Sequence, residues 1–233
     1  MVPKEYYGRL FTKEQLPVDY HSEAFTLESM IKVDKQLRCK RCYSQIEEDW
    51  QLPEGQYYCR ACIVFGRNQE GKELYYFPSK TSEIEFPVLK WLGELTPYQA
   101  EVSEKLLETY QKQKDSLVHA VTGAGKTEMI YKIVAYVLGN KGRVAIASPR
   151  VDVCRELFLR MQRDFTCSIS LLHAESEPYD GSPLVIATTH QLLKFYQNFD
   201  LVIVDEVDAF PFVGNVMLNH AVEQAKKETG RYI

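Results

Sequence analysis

The sequence predicts an α/β domain built on a parallel β-sheet, preceded by a small four-cysteine module. Two observations carry this prediction. From Trp91 onward, short apolar runs alternate with runs of amphipathic helical spacing, which is typical of parallel strands buried under helices on both faces. Ahead of this region, Cys39 and Cys42 form one close pair, and Cys59 and Cys62 form another. The chain therefore divides into two parts of different chemistry.

The composition is that of an ordinary globular protein, with 45% hydrophobic and 26% charged residues in a chain of 233. The formal net charge of -4 gives no bulk attraction for nucleic acid, so any such binding must use a local groove. No run reaches the roughly 18 apolar residues that span a bilayer, and the N-terminus has no signal-peptide core. The sequence therefore predicts a cytoplasmic protein.

The chain is predicted to have four parts: an arm over 1–32, the cysteine module over 33–66, a connector over 67–90 and the α/β domain over 91–233.

The α/β region begins with a helix whose start is marked by Thr96 as N-cap and Pro97 at the first helical position. The runs that follow alternate between the two kinds of element. They predict strands over 116–121, 143–148, 168–173, 183–188 and 200–206, and helices over 126–140, 151–165 and 189–197. The last residues, 230–233, predict the start of another strand.

A glycine-rich segment between the first strand and the next helix gives the strongest chemical signal. It matches the phosphate-binding loop at its Gly-Lys-Thr end, although Ala120 stands where the strict pattern has glycine. Glycines allow backbone N–H groups to converge on phosphate oxygens. Lys126 supplies a cation for the β- and γ-phosphates of ATP, and the Thr127 hydroxyl suits Mg²⁺. The predicted ATP-binding loop comprises Thr122, Gly123, Ala124, Gly125, Lys126 and Thr127.

An acidic run follows the apolar residues 201–204, at the end of a strand where carboxylates meet bound phosphates. Asp205 is predicted to hold Mg²⁺, and Glu206 is predicted to orient the attacking water. Asp208 is predicted to couple the nucleotide state to the rest of the molecule. Lys126, Asp205 and Glu206 are therefore the predicted catalytic residues of an ATPase.

Together these residues resemble the first motor domain of superfamily-2 helicases and translocases, with the loop as motif I and the acidic run as motif II. The resemblance implies a RecA-like P-loop fold with ATP and Mg²⁺ as cofactors. It implies that Gln99, within Leu-Thr-Pro-Tyr-Gln, reads the adenine edge. It also implies contacts with the nucleic-acid backbone at two strand ends, from Pro149 and Arg150 and from Thr188 and Thr189.

The resemblance covers residues 91–233 and ends shortly after motif II. Motifs III to VI, with the arginine finger of a second lobe, are missing. Because such motors hydrolyse ATP between two lobes, we expect a truncated chain that hydrolyses ATP weakly by itself. The alternative from another class is a nucleotide-binding module without catalysis, which the intact Lys126, Thr127, Asp205 and Glu206 disfavour.

The two cysteine pairs are separated by 16 residues, inside the range of four-cysteine zinc sites. Each pair forms a tight knuckle that presents two thiolates to one tetrahedral Zn²⁺. Cys39, Cys42, Cys59 and Cys62 are therefore the predicted ligands, and the zinc is predicted to fold the module. The basic and aromatic residues around the knuckles fit single-stranded nucleic acid and a solvated rim over a small core equally well.

A four-cysteine module directly ahead of such a motor resembles the ComFA family, the ATPases of Gram-positive competence systems that help to bring transforming single-stranded DNA through a membrane channel. The resemblance implies single-stranded DNA, a ComFC-type protein and a ComEC-type channel as partners, and it allows a homo-oligomer. Through these partners it implies a position at the inner face of the membrane. The enzyme alternative is a PriA-like replication-restart helicase, which has a similar motif I. In that family the cysteines are inserted after motif II, whereas here they precede motif I.

Overall fold

The first third of the chain forms short strands, in a computed structural model that describes residues 1–84, 86–121, 123–207, 212 and 214–233. These strands are β1 (Leu10–Thr12), β2 (Phe25–Glu28), β3 (Met30–Val33), β4 (Gln36–Cys39) and β5 (Glu73–Tyr76). β1, β5 and β2 form an antiparallel sheet in that order, and β3 pairs with β4 as a hairpin. The predicted arm and the predicted connector therefore share one sheet. We propose that residues 1–28 and 73–77 form one structural unit.

The second part of the chain supplies the helices and the main sheet. Its helices are α1 (Pro97–Gln111), α2 (Lys126–Met129), α3 (Tyr131–Gly139), α4 (Val151–Asp164) and α5 (Val216–Ala225). Its strands are β6 (Val144–Ser148), β7 (Ile169–Leu172), β8 (Leu184–Thr188), β9 (Phe199–Val204) and β10 (Lys226–Tyr232). All strand pairs are parallel, in the order β10-β9-β6-β8-β7, which confirms the predicted α/β fold class. No helix in the described part of the chain is long and apolar enough to cross a bilayer.

Both faces of the parallel sheet are buried, and alternate residues of its strands serve opposite faces. In β6, Val144 and Ile146 pack with side chains of α1, α3 and α4. Ala145 and Ala147 of the same strand face the other side, where α5 and the cysteine module lie. Burial on both faces explains why the strands read as unbroken apolar runs.

The predicted strand over 116–121 does not form a strand. Its described residues make a single backbone hydrogen bond to β10, from the Ser116 N–H to the Tyr232 carbonyl at 3.1 Å. The Tyr232 N–H donates instead to the Asp115 carboxylate at 3.0 Å, so a local side chain takes the donor that a strand carbonyl would use. Leu117 and Val121 are consequently 79% and 76% exposed.

Two predicted helices differ from the observed ones in detail. The helix predicted over 126–140 is present as α2 and α3, which are separated at Ile130. The helix predicted over 189–197 is a 3₁₀ helix, Thr189–Lys194. A 3₁₀ helix rises about 2 Å per residue, so this short segment returns the chain from the end of β8 toward the start of β9.

The cysteine module docks on α5 of the α/β domain. The His220 imidazole Nε2 lies 3.1 Å from the Lys40 carbonyl oxygen, and its ring stacks on Tyr43 at 5.2 Å between centroids. Burial lowers the pKa of His220, which favours the neutral ring. The Arg38 guanidinium also lies 4.9 Å from the Tyr43 ring, and Trp50 packs against the shared core. Tyr43 and Trp50 thus take part in this packing.

Candidate nucleotide site and candidate metal centre

The glycine-rich loop has the backbone that its sequence predicts. Gly123 and Gly125 have φ angles of 80° and 74°, in the left-handed region that side chains disfavour. A Cβ on Gly125 would stand 2.4 Å from the Gln99 amide nitrogen, so the Gln99 side chain would have to move to admit any other residue. Gly125 is the N-cap of α2, which directs the positive end of the helix toward the loop. Thr122 lies outside the described residues.

Lys126 and Asp205 approach each other at the carboxyl end of the sheet. Lys126 is the first residue of α2, and Asp205 follows β9, where its N–H donates to the Ala147 carbonyl of β6 at 2.8 Å. The Lys126 Nζ lies 3.9 Å from the Asp205 Oδ1, with the side chains 43% and 32% exposed. A pair this exposed contributes little to stability, so both charges stay available for a ligand.

A cleft of about 750 Å³ opens beside this pair, and Thr127, Arg150 and Glu206 also line it. This volume lies within the roughly 300–1,000 Å³ of small-molecule sites. The hydroxyl of Thr127 and the carboxylates of Asp205 and Glu206 are hard oxygen ligands of the kind that Mg²⁺ prefers. A lysine cation suits a phosphate. The donor set therefore fits magnesium with a nucleotide polyphosphate.

Gln99 contacts the loop directly, in addition to its predicted place near the base. Its side-chain oxygen accepts from the Thr96 N–H at 2.9 Å, which completes a capping box at the start of α1. Its amide nitrogen donates to the Ala124 carbonyl at 2.9 Å. A glutamine amide has two hydrogens and two lone pairs on its oxygen, so one of each stays free for an adenine edge. The Thr-x-x-Gln spacing could have predicted the capping box.

The predicted nucleic-acid contacts differ in exposure between the two strand ends. Arg150 is exposed at the N-cap of α4, beside the half-buried Pro149. Its guanidinium donates to Asp152 at 2.6 Å, and this pairing raises the pKa of Arg150. Thr188 and Thr189 are only 8% and 0% exposed. Thr188 is the N-cap of the 3₁₀ helix and Thr189 is its first residue, so both are buried in this structure, and their contact with nucleic acid stays a prediction. Asp208 lies outside the described residues.

The four predicted zinc ligands come together in one buried cluster. Cys39, Cys42, Cys59 and Cys62 are each 0% exposed, and their sulfur atoms all lie within 4.8 Å of one another. The Cys39–Cys62 and Cys42–Cys59 Sγ distances are 3.7 and 3.5 Å. A tetrahedral zinc with bonds of about 2.3 Å requires sulfur spacings of about 3.8 Å. The cluster therefore fits a zinc ion with a closed shell of four thiolates.

Asn68 supports this cluster and was not identified from the sequence. Its side-chain amide donates to the Cys39 sulfur at 3.1 Å and to the Ser29 carbonyl at 2.7 Å, and it is 1% exposed. Hydrogen bonds from outside the ligand set orient ligands and tune the metal. No spacing rule links an asparagine to a cysteine 29 positions away, so the sequence carried no signal for it.

The loop, the Lys126–Asp205 pair and the parallel sheet together define a P-loop nucleotide-binding domain. The family model described as "Type III restriction enzyme, res subunit" matches residues 92–224, which is more than half of the 233 residues. The chain belongs to this family. The matched range includes the phosphate-binding loop, the acidic run and strands β6 to β9.

Two relatives named competence protein ComFA match nearly the whole chain, which confirms the resemblance seen in the sequence. The protein of Streptococcus pneumoniae is 57% identical over 97% of this chain, and that of Bacillus subtilis is 34% identical over 96%. The matches cover 52% and 50% of those proteins, so the chain spans about half the length of these curated relatives. The replication restart protein PriA of Synechocystis is 29% identical over 48% of this chain and 15% of that protein.

Proposed function

We propose that this chain is the first ATP-binding lobe of a superfamily-2 DNA translocase that drives single-stranded DNA uptake during natural transformation. The approach of the Lys126 Nζ to the Asp205 Oδ1, at 3.9 Å, carries the ATP-binding part of the proposal. The two ComFA relatives support the competence part. At 97% coverage the similarity extends over the cysteine module, whereas the PriA similarity covers about half of the chain.

At the nucleotide site each residue has a separate proposed task. Lys126 neutralises the β- and γ-phosphates, and the loop amides from Gly123 to Lys126 cradle them. Thr127 and Asp205 hold Mg²⁺, which supplies charge neutralisation between the phosphates when it is bound. Glu206 orients the water that attacks the γ-phosphate. Hydrolysis is proposed to be weak in this chain alone.

The remaining proposals concern DNA and partners. The proposed contacts to the single-stranded DNA backbone are the exposed Arg150 and the half-buried Pro149, which precede α4, and Thr188 and Thr189 at the end of β8. A ComFC-type protein and a ComEC-type membrane channel are the proposed partners, which would hold the protein at the inner face of the membrane. The cysteine module is proposed to hold one structural Zn²⁺ and to act through its contact with α5.

Lys126→Ala tests the nucleotide site directly. Magnesium with a fluorescent ATP analogue is titrated into the wild-type chain and the variant, and the dissociation constants are compared. Hydrogen bonds to charged groups contribute roughly 1.5–3 kcal/mol, so affinity should fall about ten- to hundredfold. Loss of the phosphate cation is the physical reason for the change.

Lys132→Ala is the matched control, because Lys132 lies on α3 and pairs with Glu104 rather than facing the cleft. It should bind the nucleotide as the wild type does. Equal affinity for the wild type and Lys126→Ala would contradict the proposal, as would a wild-type chain that binds no nucleotide.

A further inference from the structure

A carboxylate lies beside the phosphate-binding loop, where its charge opposes an anionic ligand. Glu128 is in the first turn of α2, two residues after Lys126. Its Oε2 lies 3.4 Å from the position that a Cβ on Gly125 would occupy, on the side of the loop that also contacts Gln99. A negative charge at this distance from the loop lowers the local potential that attracts phosphates.

Arg160 of α4 reaches this carboxylate from the neighbouring helix. Its Nη1 lies 3.3 Å from the Glu128 Oε1, and its Nη2 lies 2.7 Å from the Glu156 Oε1. The Glu128 and Arg160 side chains are 24% and 39% exposed. Ion pairs with this exposure contribute little to folding stability. The same charges can still change the affinity for a nearby anionic ligand, because that ligand carries several negative charges.

We propose that Arg160 is a positioning residue for nucleotide binding. Its guanidinium, which it shares with Glu156, offsets the charge of Glu128 and holds that carboxylate toward α4, so the loop presents a more positive field to the polyphosphate. This inference rests on the proposed function, since it assigns a further residue to the same nucleotide site. It predicts that nucleotide affinity falls when Arg160 is removed and the Glu128 carboxylate remains. Affinity should not fall when both side chains are removed.

The test measures binding of magnesium with a fluorescent ATP analogue to the wild-type chain, Arg160→Ala, Glu128→Gln and the double variant. If the separation from the phosphates is taken as about 10 Å, with an effective dielectric between those of protein surface and water, one uncompensated charge weakens binding roughly two- to twentyfold. Arg160→Ala should show this loss at low salt, and the double variant should recover wild-type affinity. Glu128→Gln alone should bind at least as tightly as the wild type.

Two further measurements separate an electrostatic role from a structural one. The defect of Arg160→Ala should shrink as salt rises from about 0.05 to 0.5 M, because ions screen the carboxylate, whereas a packing defect would persist. Arg155→Ala removes an exposed arginine from the same helix and should leave affinity unchanged.

The outcomes distinguish this inference from the proposed function. A wild-type chain that binds no nucleotide would overturn the proposed function, and the inference with it. Binding by the wild type together with equal binding by Arg160→Ala would overturn the inference alone. A double variant that stays as weak as Arg160→Ala would also overturn it, because the loss would then come from structure rather than from the Glu128 charge.

Discussion

Glu206, at the nucleotide site, has a backbone conformation that is unusual for a residue other than glycine. Its φ angle is 61°, in the left-handed region that residues with side chains adopt only rarely. The turn follows directly after β9 and directs the chain out of the sheet beside the cleft. A residue in such a conformation is held by its surroundings rather than by its own preference, and functional sites are common among such positions.

The prediction at the residue scale separates ATP binding from ATP hydrolysis. In a protein extended to the full length of the ComFA relatives, Glu206→Gln should keep nucleotide affinity within about twofold of the wild type while hydrolysis falls by a factor of about 10² or more. The amide keeps the shape but cannot polarise the attacking water. Both quantities are measured on the same preparation, as a binding constant and a steady-state phosphate-release rate.

Glu101→Gln is the control for this substitution, because Glu101 is exposed on α1 and pairs with Lys105. It should change neither quantity. Wild-type turnover by Glu206→Gln would show that another group orients the water.

The loop and the acidic run could be recognised in the sequence because the residues within each motif are close in the chain. Their spacing within a motif is fixed by the geometry of a bound phosphate. Gln99 was predicted as a base contact, while its hydrogen bond to Ala124 depends on how α1 lies against the loop. The Arg160–Glu128 pair joins positions 32 apart, and only the tertiary fold, with α4 packed on the sheet, brings them together. The burial of Thr189 likewise depends on the turn that follows β8.

At the scale of elements, the cysteine module and α5 form one packed unit. The contact between His220 and Lys40 joins positions 180 apart in the chain. The cysteine spacing predicted the metal cluster, because ligand spacing within a knuckle is local. It gave no information about the docking of that cluster on α5, since surface complementarity has no short sequence pattern. The absence of the predicted strand over 116–121 likewise depends on a tertiary contact, because the Asp115 carboxylate accepts the hydrogen bond of the Tyr232 N–H in β10.

The element-scale prediction concerns zinc. Cys39→Ser with Cys42→Ser should reduce bound zinc from about one ion per chain to nearly none, since two thiolates cannot close a tetrahedral shell. Residues 33–66 should then become sensitive to trypsin, because a module folded by its metal unfolds without it. Metal content is measured by elemental analysis and cleavage by mass spectrometry.

Cys167→Ser is the matched control, because Cys167 belongs to the α/β core rather than to the cluster. It should retain zinc and resist cleavage in the module. Full zinc content in the double cysteine variant would contradict the assignment of these ligands.

At the scale of the whole molecule, the described part of the chain supplies one wall of a nucleotide cleft. The loop, Lys126, Asp205 and Glu206 lie together at the end of the sheet, and they can hold a magnesium nucleotide. Transfer of the γ-phosphoryl group also requires a cation for the charge that builds in the transition state. The superfamily-2 resemblance assigns that cation to a second lobe. The chain spans about half the length of its ComFA relatives.

The most direct test of the account is the ATPase rate with and without single-stranded DNA, measured for this chain and for a protein extended to the full length of the ComFA relatives. An arginine finger is worth about 10³ to 10⁵ in rate, so the extended protein should hydrolyse ATP at least about 10³-fold faster than this chain. Single-stranded DNA should stimulate it, and Lys126→Ala should abolish that activity. Comparable rates for the two proteins, or full activity without Lys126, would contradict the account.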